Sequence, residues 1–212
     1  MISRWLSRLS TFFRRRRMCR FATEFSLSPS TRVLDVGGAA ATWQLLDAPP
    51  KLVLINMPRA AEAGRAYSLV FADGCRLPFA DQAFDVVFSN SVIEHVGDSA
   101  RQQAFAAEIA RVGRSYFVQT PNYWFPVEHH LLTPLLHWLP RSWQRFLAPR
   151  CNLWQWMERP TEDRRLFYLR HYLEDIRLLD APSMRRLFPG ATLRKERFLG
   201  LAKSLIAVRL RI

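Results

Sequence analysis

The chain has 212 residues, a length typical of one domain with or without an insertion. Hydrophobic residues make up 49% and charged residues 23%, which excludes a largely disordered chain. The three cysteines are odd in number and far apart, so the sequence predicts no disulfide framework and a reducing, cytosolic compartment. The formal net charge is +13, and this surplus of bases favours phosphate-rich or anionic partners.

More than half of the excess charge lies in the first 20 residues, which hold seven arginines and no acid. Apolar residues recur there at helical spacing: Ile2, Trp5, Leu6, Leu9, Phe12 and Phe13. The pattern is typical of a helix in a membrane interface, and equally of a helix packed on its own domain. No stretch reaches the roughly 20 apolar residues that a membrane span requires. We therefore divide the chain into a basic amphipathic segment, residues 1–20, and a domain, residues 21–212.

Five short apolar runs follow, each with the length of a strand buried on both faces. They cover residues 32–36, 52–55, 68–72, 84–88 and 115–118. Helical segments at residues 39–46 and 99–112 alternate with these runs, which predicts a parallel sheet between two helical layers.

The pattern changes after the fifth run. Prolines punctuate residues 121–180, which predicts an insertion of short helices with a longer helix at about 162–179. Two strand-like runs at 191–196 and 204–210 are then expected to form a hairpin. The predicted fold class is α/β: a Rossmann-like, doubly wound, mostly parallel sheet closed by an antiparallel C-terminal hairpin, with a helical insertion after strand five.

Small or polar residues stand at four successive predicted strand ends. The first is followed by Gly37, Gly38 and Ala39, the second by Asn56, the third by Asp73 and Gly74, and the fourth by Asn90 and Ser91. Taken singly, each is consistent with an ordinary turn or a helix cap. Because ligands of doubly wound sheets bind at the carboxyl ends of the strands, their order predicts one shared binding site.

The motifs VLDVGG, LVLINM, FADGCRLPF and FDVVFSNSVIEHV, all within residues 32–122, resemble in order those of class I S-adenosylmethionine-dependent methyltransferases, particularly the small-molecule kind called type 11. The resemblance implies a methyl-transferring enzyme with S-adenosylmethionine as its cofactor. It places Asp35, Gly37, Gly38 and Ala39 at the methionine end, Asn56 and Met57 at the ribose and adenine, Asp73 at the adenine amino group with Gly74 and Cys75 beside the ring, and Asn90 and Ser91 near the sulfonium.

Two departures from the family pattern predict weaker cofactor binding. The second and third glycines of the family's loop are Ala39 and Ala41 here, and alanine discourages positive φ. Asn56 stands where the family has a ribose-binding acid, and an uncharged acceptor forms a weaker hydrogen bond.

A hydroxyl acceptor needs a base, and the residues after the fifth strand supply candidates. Glu128 and His129 are the leading ones for acceptor recognition or general base, and His95 is the second. The spacing of His129, His130, His137 and Cys151 does not match a paired-ligand zinc site, so no metal is predicted. Tryptophans of the insertion either stack on the acceptor or form the insertion's own core: Trp124, Trp138, Trp143, Trp154 and Trp156.

The segment TPNYWFPVEHHLLTPLLHWLP is similar to one in bacterial type 11 methyltransferases associated with cell-surface glycan or lipid-linked sugar pathways. It implies O-methylation of a small molecule, a glycan or a lipid-linked acceptor, with residues 1–20 at the inner membrane face. An RNA methyltransferase is the alternative that the charge favours, although most of that charge lies on one tail. A non-catalytic scaffold with the methyltransferase fold is the alternative that the two departures favour.

Overall fold

A computed structural model describes residues 2–56, 67–128 and 130–211, with side chains from residue 11 onward. The strands are β1 (Arg32–Val36), β2 (Lys51–Asn56), β3 (Tyr67–Phe71), β4 (Phe84–Asn90), β5 (Gly113–Pro121), β6 (Val127–Glu128), β7 (Thr133–Pro134), β8 (Thr192–Phe198) and β9 (Leu201–Arg209). Seven of them form one sheet in the order β3-β2-β1-β4-β5-β9-β8. The first five strands run parallel, and β9 and β8 add an antiparallel hairpin at one edge. The predicted fold class is confirmed.

Helices cover both faces of this sheet. They are α1 (Ile2–Glu24), α2 (Ala40–Trp43), α3 (Ser99–Val112), α4 (Arg141–Leu147), α5 (Leu153–Glu158), α6 (Glu162–Glu174) and α7 (Ala181–Leu187). One apolar cluster joins the sheet to α3 and α7, with Leu34 of β1 and Phe105 of α3 in it. The cluster on the opposite face contains Val33 of β1 and Phe21 of α1. Neighbouring residues of β1 therefore point to opposite faces, and both faces are buried.

Helix α3 has the bounds that the sequence predicts, whereas α2 is shorter than the predicted 39–46. The carboxylate of Asp98 accepts a hydrogen bond from the backbone N–H of Arg101, 3.0 Å away, and so caps the start of α3. Helix α2 ends at Trp43, and the next hydrogen bond, from the N–H of Leu46 to the carbonyl of Trp43, closes a tighter turn. The short helix leaves Trp43 buried against the sheet.

Helix α1 packs on its own domain along the half whose side chains are described. Met18 and Phe21 are buried in the sheet's second cluster, and the ring centroids of Phe13 and Phe198 lie 5.8 Å apart. The helix runs through residue 20 without a break. The side chains of Ile2, Trp5, Leu6 and Leu9 lie outside the described ones. No helix among the described residues is long and apolar enough to cross a membrane.

The segment between β5 and α7 has a small core of its own. It carries the hairpin of β6 and β7 and the helices α4 to α6. Its buried residues are Leu131, Leu136, Ala148, Trp154, Leu169, Tyr172 and Ile176. Of the five tryptophans singled out in the sequence, Trp154 belongs to this core, whereas the side chains of Trp124, Trp138, Trp143 and Trp156 are exposed.

Candidate functional site

A cleft of about 670 Å³ opens at the carboxyl ends of β1, β2 and β3, beside the start of the β4–α3 connection. Strand β1 lies between β2 and β4 in the sheet, so the cleft lies at the point where the strand order reverses, as expected for a doubly wound fold. Six of the predicted cofactor residues line it: Gly37, Gly38, Ala39, Asn56, Asp73 and Gly74. Apolar side chains that the sequence analysis did not single out complete its wall: Leu69, Phe71, Val92, Val96 and Phe105.

The loop after β1 requires glycine at two positions. Gly37 has φ +79°, and a Cβ there would meet Cγ2 of Val92 at 2.5 Å. A Cβ on Gly38 would lie 1.6 Å from Oδ2 of Asp35. Ala39, in contrast, is extended at φ −122° and ψ 140°, which alanine adopts without strain. The alanine that replaces a family glycine at position 39 therefore places no strain on this backbone.

Asp35 lies behind the loop rather than on the wall of the cleft. Its side chain is fully buried, and Oδ2 accepts a hydrogen bond of 2.7 Å from the indole N–H of Trp43. Oδ1 has no hydrogen-bond partner among the described residues. Burial raises the pKa of this carboxyl to about 7, against the opposing effect of the Trp43 hydrogen bond. Asp35 and Trp43 together support Gly38 from below.

Two polar side chains face the part of the cleft that the sequence assigns to the ribose and adenine. The side-chain nitrogen of Asn56 donates to the carbonyl of Gly38 over 2.9 Å, which orients the amide. Asp73 accepts from the backbone N–H of Cys75 at 2.9 Å and pairs with Nη2 of Arg101 at 2.9 Å. The Cys75 N–H lowers the pKa of Asp73 most, burial opposes it, and Arg101 lowers the pKa further. Arg101, which the sequence analysis did not identify, also lines the cleft.

Other predicted cofactor residues have different partners. The thiol of Cys75 donates to the carbonyl of Arg101, and burial together with the charge of Asp73 raises its pKa to about 11. The side-chain oxygen of Asn90 accepts from Arg17 of α1, and the hydroxyl of Ser91 donates to Gln119 over 3.0 Å. Within the described part of the chain these three side chains do not line the cleft. Met57 lies outside the described residues.

Three histidines from distant parts of the chain meet where the cleft approaches the insertion. Nε2 of His95 lies 3.2 Å from Nε2 of His130, and its Nδ1 lies 3.0 Å from Nε2 of His171. A carboxylate stands at each end of this row: Glu128 accepts from Nδ1 of His130 at 2.6 Å, and Asp175 from Nδ1 of His171 at 2.7 Å. His95 and His171 both line the cleft. We call these five residues the histidine row.

The structure brings His95 and Glu128 together, as the sequence analysis expects of candidate catalytic residues, and adds two histidines that it missed. His129 lies outside the described residues. His130 and His171 carry only a weak signal in the sequence: His130 follows Glu128 by two positions, and His171 precedes Asp175 by one helical turn.

Hydrogen bonds at the buried end of the histidine row determine its protonation. Burial opposes ionisation of Glu128, but the imidazole of His130 and the backbone N–H groups of His130 and Leu131 outweigh it and lower its pKa. Both carboxylate oxygens are thus occupied, so Glu128 is placed to orient His130 rather than to reach an acceptor. Burial and the neighbouring imidazoles lower the pKa of His95 to about 3, which keeps that imidazole neutral. Burial also lowers the pKa of His130, but Glu128 reverses the direction and raises it.

Glu94 lies beside the histidine row in the middle of the 3-10 turn Ile93–His95. It is fully buried, and Oε2 accepts from the hydroxyl of Thr120 at 2.9 Å. Oε1 has no hydrogen-bond partner in the part of the chain that is described, and it lies 3.9 Å from Nε2 of His95. Burial raises the pKa of Glu94 to about 7.

Known proteins resemble this chain in sequence and in fold. Residues 30–116 match the family model described as "Methyltransferase domain". No curated protein sequence matches the chain. Magnesium protoporphyrin IX methyltransferase from Synechocystis, solved with bound SAH, is 11% identical with a TM-score of 0.52, over 92% of this chain and 81% of that one. A SAM-dependent methyltransferase from Methanosarcina mazei is 12% identical with a TM-score of 0.51, over 87% of this chain and 94% of that one.

A third similar structure has a different designation. A Rhodobacter sphaeroides protein provisionally designated a zinc-dependent alcohol dehydrogenase is 12% identical with a TM-score of 0.59, over 87% of this chain and 85% of that one. At such identities the structural likenesses show the fold alone, and function is argued from the family match and the site.

Proposed function

We propose that the chain is a class I S-adenosylmethionine-dependent methyltransferase and that it methylates a hydroxyl oxygen of a small-molecule, glycan or lipid-linked acceptor. S-adenosylmethionine supplies an electrophilic methyl group on a sulfonium. The observation that carries the proposal is the composition of the cleft: the glycine loop, Asn56 and Asp73 line one part, and His95 and His171 line another. A cleft with room for a methyl donor and a methyl acceptor side by side fits in-line transfer of the methyl group. Positioning of the two reactants supplies most of the acceleration of such a reaction.

The residues of the cleft fit the cofactor. Gly37 and Gly38 have no side chain and let a ligand approach the backbone closely. The amide oxygen of Asn56 is the group that we assign to a ribose hydroxyl, because its nitrogen is held by Gly38. We assign Asp73 to the adenine amino group, which would share the carboxylate with Arg101, and Phe105 to the apolar side of the ring. The fully buried Asp35 supports the methionine end through Gly38 rather than by contact.

We assign the part of the cleft that His95 and His171 line to the acceptor. Among the three candidates from the sequence, Glu128 is occupied by His130 and Leu131, and His129 lies outside the described residues. His95 lines the cleft directly, and its Nε2 faces another imidazole nitrogen at 3.2 Å, whereas both oxygens of Glu128 accept hydrogen bonds from N–H groups. We therefore propose that His95 holds the acceptor oxygen in line with the methyl group.

Calorimetry and a methyl-transfer assay test these assignments together. We expect the purified chain to bind S-adenosylmethionine, and Asp73→Ala to weaken binding by about 10-fold or more, since a hydrogen bond to a charged group contributes about 1.5–3 kcal/mol. His95→Gln should leave cofactor binding intact and lower turnover by about 100-fold or more, with an acceptor found by a mass-spectrometric screen.

The control for Asp73 is Asp81→Ala, which breaks an ion pair of 2.9 Å with Arg111 away from the cleft and should leave binding unchanged. Absence of binding by the folded wild-type chain would contradict the proposal and favour the non-catalytic scaffold. A product methylated on RNA alone would contradict the choice of acceptor.

We further propose that α1 brings the enzyme to an anionic membrane surface, where lipid-linked acceptors are found. Phe13, Met18 and Phe21 face the sheet, which leaves the basic side of α1 exposed: Arg14, Arg15, Arg16 and Arg20. Each arginine near an anionic surface contributes about 1 kcal/mol. This charged side supports a peripheral contact.

Sedimentation with vesicles tests the contact. Arg15→Glu/Arg16→Glu should lower binding to phosphatidylglycerol vesicles by at least about 10-fold, and high salt should do the same to the wild type. The control is Arg185→Glu/Arg186→Glu, an equal change of charge on exposed residues of α7. Equal losses in both variants, or no binding by the wild type, would contradict a role for α1. Deletion of residues 1–20 is unsuitable, because Met18 belongs to the core.

A further inference from the structure

The hydrogen bonds of the histidine row fix where each neutral imidazole carries its lone pair. Asp175 accepts from Nδ1 of His171, so Nε2 of His171 is the acceptor that faces His95. Nδ1 of His95 must then donate to His171, which leaves a lone pair on Nε2 of His95. At the other end, Glu128 accepts from Nδ1 of His130, which leaves a lone pair on Nε2 of His130 whenever that imidazole is neutral.

The two nitrogens that carry these lone pairs are close neighbours. The Nε2 atoms of His95 and His130 lie 3.2 Å apart, and the ring planes are nearly perpendicular, at 85°. Two nitrogen acceptors at this distance repel each other unless a positive charge lies between them. A cation or a proton is therefore needed at this position.

A third acceptor points to the same position. Oε1 of Glu94 is completely buried and lacks a hydrogen-bond partner among the described residues, although its twin Oε2 is bound by Thr120. Buried carboxylate oxygens are costly without a partner, so an orphan one requires an explanation. The ligand atoms of Glu94, His95 and His130 all lie within 4.8 Å of one another.

We propose that Glu94, His95 and His130 bind a divalent transition-metal ion through Oε1 and the two Nε2 atoms. Two nitrogens bound at about 2.0–2.1 Å to a tetrahedral zinc ion stand about 3.3 Å apart, close to the 3.2 Å observed. Oε1 of Glu94 lies 3.9 Å from Nε2 of His95 and within 4.8 Å of Nε2 of His130, so its coordination requires a shift of about 0.6–1.5 Å toward the ion. Two imidazoles and one carboxylate suit zinc or ferrous iron better than magnesium or calcium, which prefer oxygen ligands.

The surrounding hydrogen bonds are those of a supported metal site. The second nitrogen of each proposed histidine ligand is already engaged, that of His130 by Glu128 and that of His95 by the His171–Asp175 pair. Such partners fix the tautomer and the ring orientation of metal-binding histidines. The site uses three of the four ligands of a tetrahedral ion, and His95 borders the cleft, so the remaining position is open to an acceptor.

The proposed ligands Glu94, His95 and His130 differ from the residues that the sequence analysis considered for a zinc site. In the sequence, the candidates for a zinc site are His129, His130, His137 and Cys151, and their spacing does not match a paired-ligand site. The proposed ligands His95 and His130 are 35 positions apart and come together only because the insertion folds back over the end of β4.

A cation on Nε2 of His95 would be the group through which His95 holds the acceptor oxygen beside the methyl group, and it would lower the pKa of the acceptor hydroxyl. This role rests on the proposed function, whereas the binding of the cation does not. The experiment therefore measures metal binding by itself, with the full chain freed of metal by a chelator and dialysis.

Zinc is titrated in competition with a chromophoric chelator, and cobalt is added as a spectroscopic probe. We expect one zinc ion per chain and the visible absorption of four-coordinate Co²⁺. His130→Ala and Glu94→Gln should each weaken zinc binding by more than about 100-fold, since loss of a supporting partner alone costs about 10–100-fold. His137→Gln, at a histidine that instead bonds to the carbonyl of Tyr123, should leave it unchanged.

Two outcomes would overturn the proposal. The first is a wild-type chain that binds no stoichiometric zinc, in which case a proton on His130 fills the gap between the imidazoles. The second is zinc binding that His130→Ala and Glu94→Gln leave intact, which would place the ion on other residues. Binding of S-adenosylmethionine by the same variants serves as the measure of folding. Loss of zinc with retained cofactor binding, or the reverse, distinguishes a failure of the metal site from a failure of the proposed function.

Discussion

Phe21→Ala is expected to lower the free energy of unfolding by about 3–5 kcal/mol, because it empties a fully buried position between α1 and the sheet. The ring of Phe21 lies 4.8 Å from that of Phe88, 5.3 Å from that of Phe117 and 6.0 Å from that of Trp43, centroid to centroid. These neighbours come from three different elements and cannot all close the cavity at once. Urea unfolding followed by fluorescence measures the loss.

Phe12→Ala is the matched control on the same helix. The side chain of Phe12 is 57% exposed, so its removal should cost less than about 1 kcal/mol. If the two variants lose the same stability, α1 does not dock on the sheet through Phe21, and the second cluster of the core is described wrongly.

Gly38→Ala is expected to abolish measurable binding of S-adenosylmethionine and to destabilise the fold. The new Cβ would overlap the carboxylate of Asp35, and that carboxylate is buried and held by Trp43. It cannot move aside without losing its hydrogen bond, so the loop must move into the cleft instead. Calorimetry with the cofactor and a thermal unfolding curve measure the two effects.

Gly190→Ala is the control for the backbone. Gly190 has φ +76°, but a Cβ there meets nothing within 4 Å, so the change should cost about 1–2 kcal/mol and leave cofactor binding intact. The cause of the Gly38 effect is tested by adding Asp35→Ala. If the overlap is responsible, the double variant is more stable than the sum of the two single losses predicts. Strict additivity would contradict the contact.

The sequence predicts the parallel strands of the sheet well because each strand is marked by its own apolar run and by the residues that bound it. The run at 32–36 is bounded by polar residues and Gly37, and β1 has those bounds. Asn56, Asp73, Gly37 and Gly38 line one cleft, as the sequence predicts, because parallel strands end at one edge of the sheet. Asn90 and Ser91 also stand at that edge. Their partners, however, are Arg17 and Gln119, and contacts with α1 and β5 carry no local signal.

The part of the cleft that we assign to the acceptor could be predicted only in part. The Glu-His pair after β4 identifies His95, but its neighbours His130 and His171 are 35 and 76 positions away. Their position beside His95 depends on the tertiary fold of the insertion, which hydrophobic periodicity does not predict. The run Glu128-His129-His130 offers two histidines, and the hydrogen bond of 2.6 Å to Glu128 identifies His130 as a member of the histidine row.

The docking of α1 joins the first part of the polypeptide to the last. Arg17 forms a two-pronged ion pair with Glu196, 179 positions later, and Glu24 pairs with Arg194. During translation, α1 therefore leaves the ribosome long before the hairpin of β8 and β9, which carries the partners of Arg17 and Glu24. Phe88 and Phe117, which pack on Phe21, are synthesised first, whereas the ion pairs of Arg17 and Glu24 form only after the hairpin has left the ribosome.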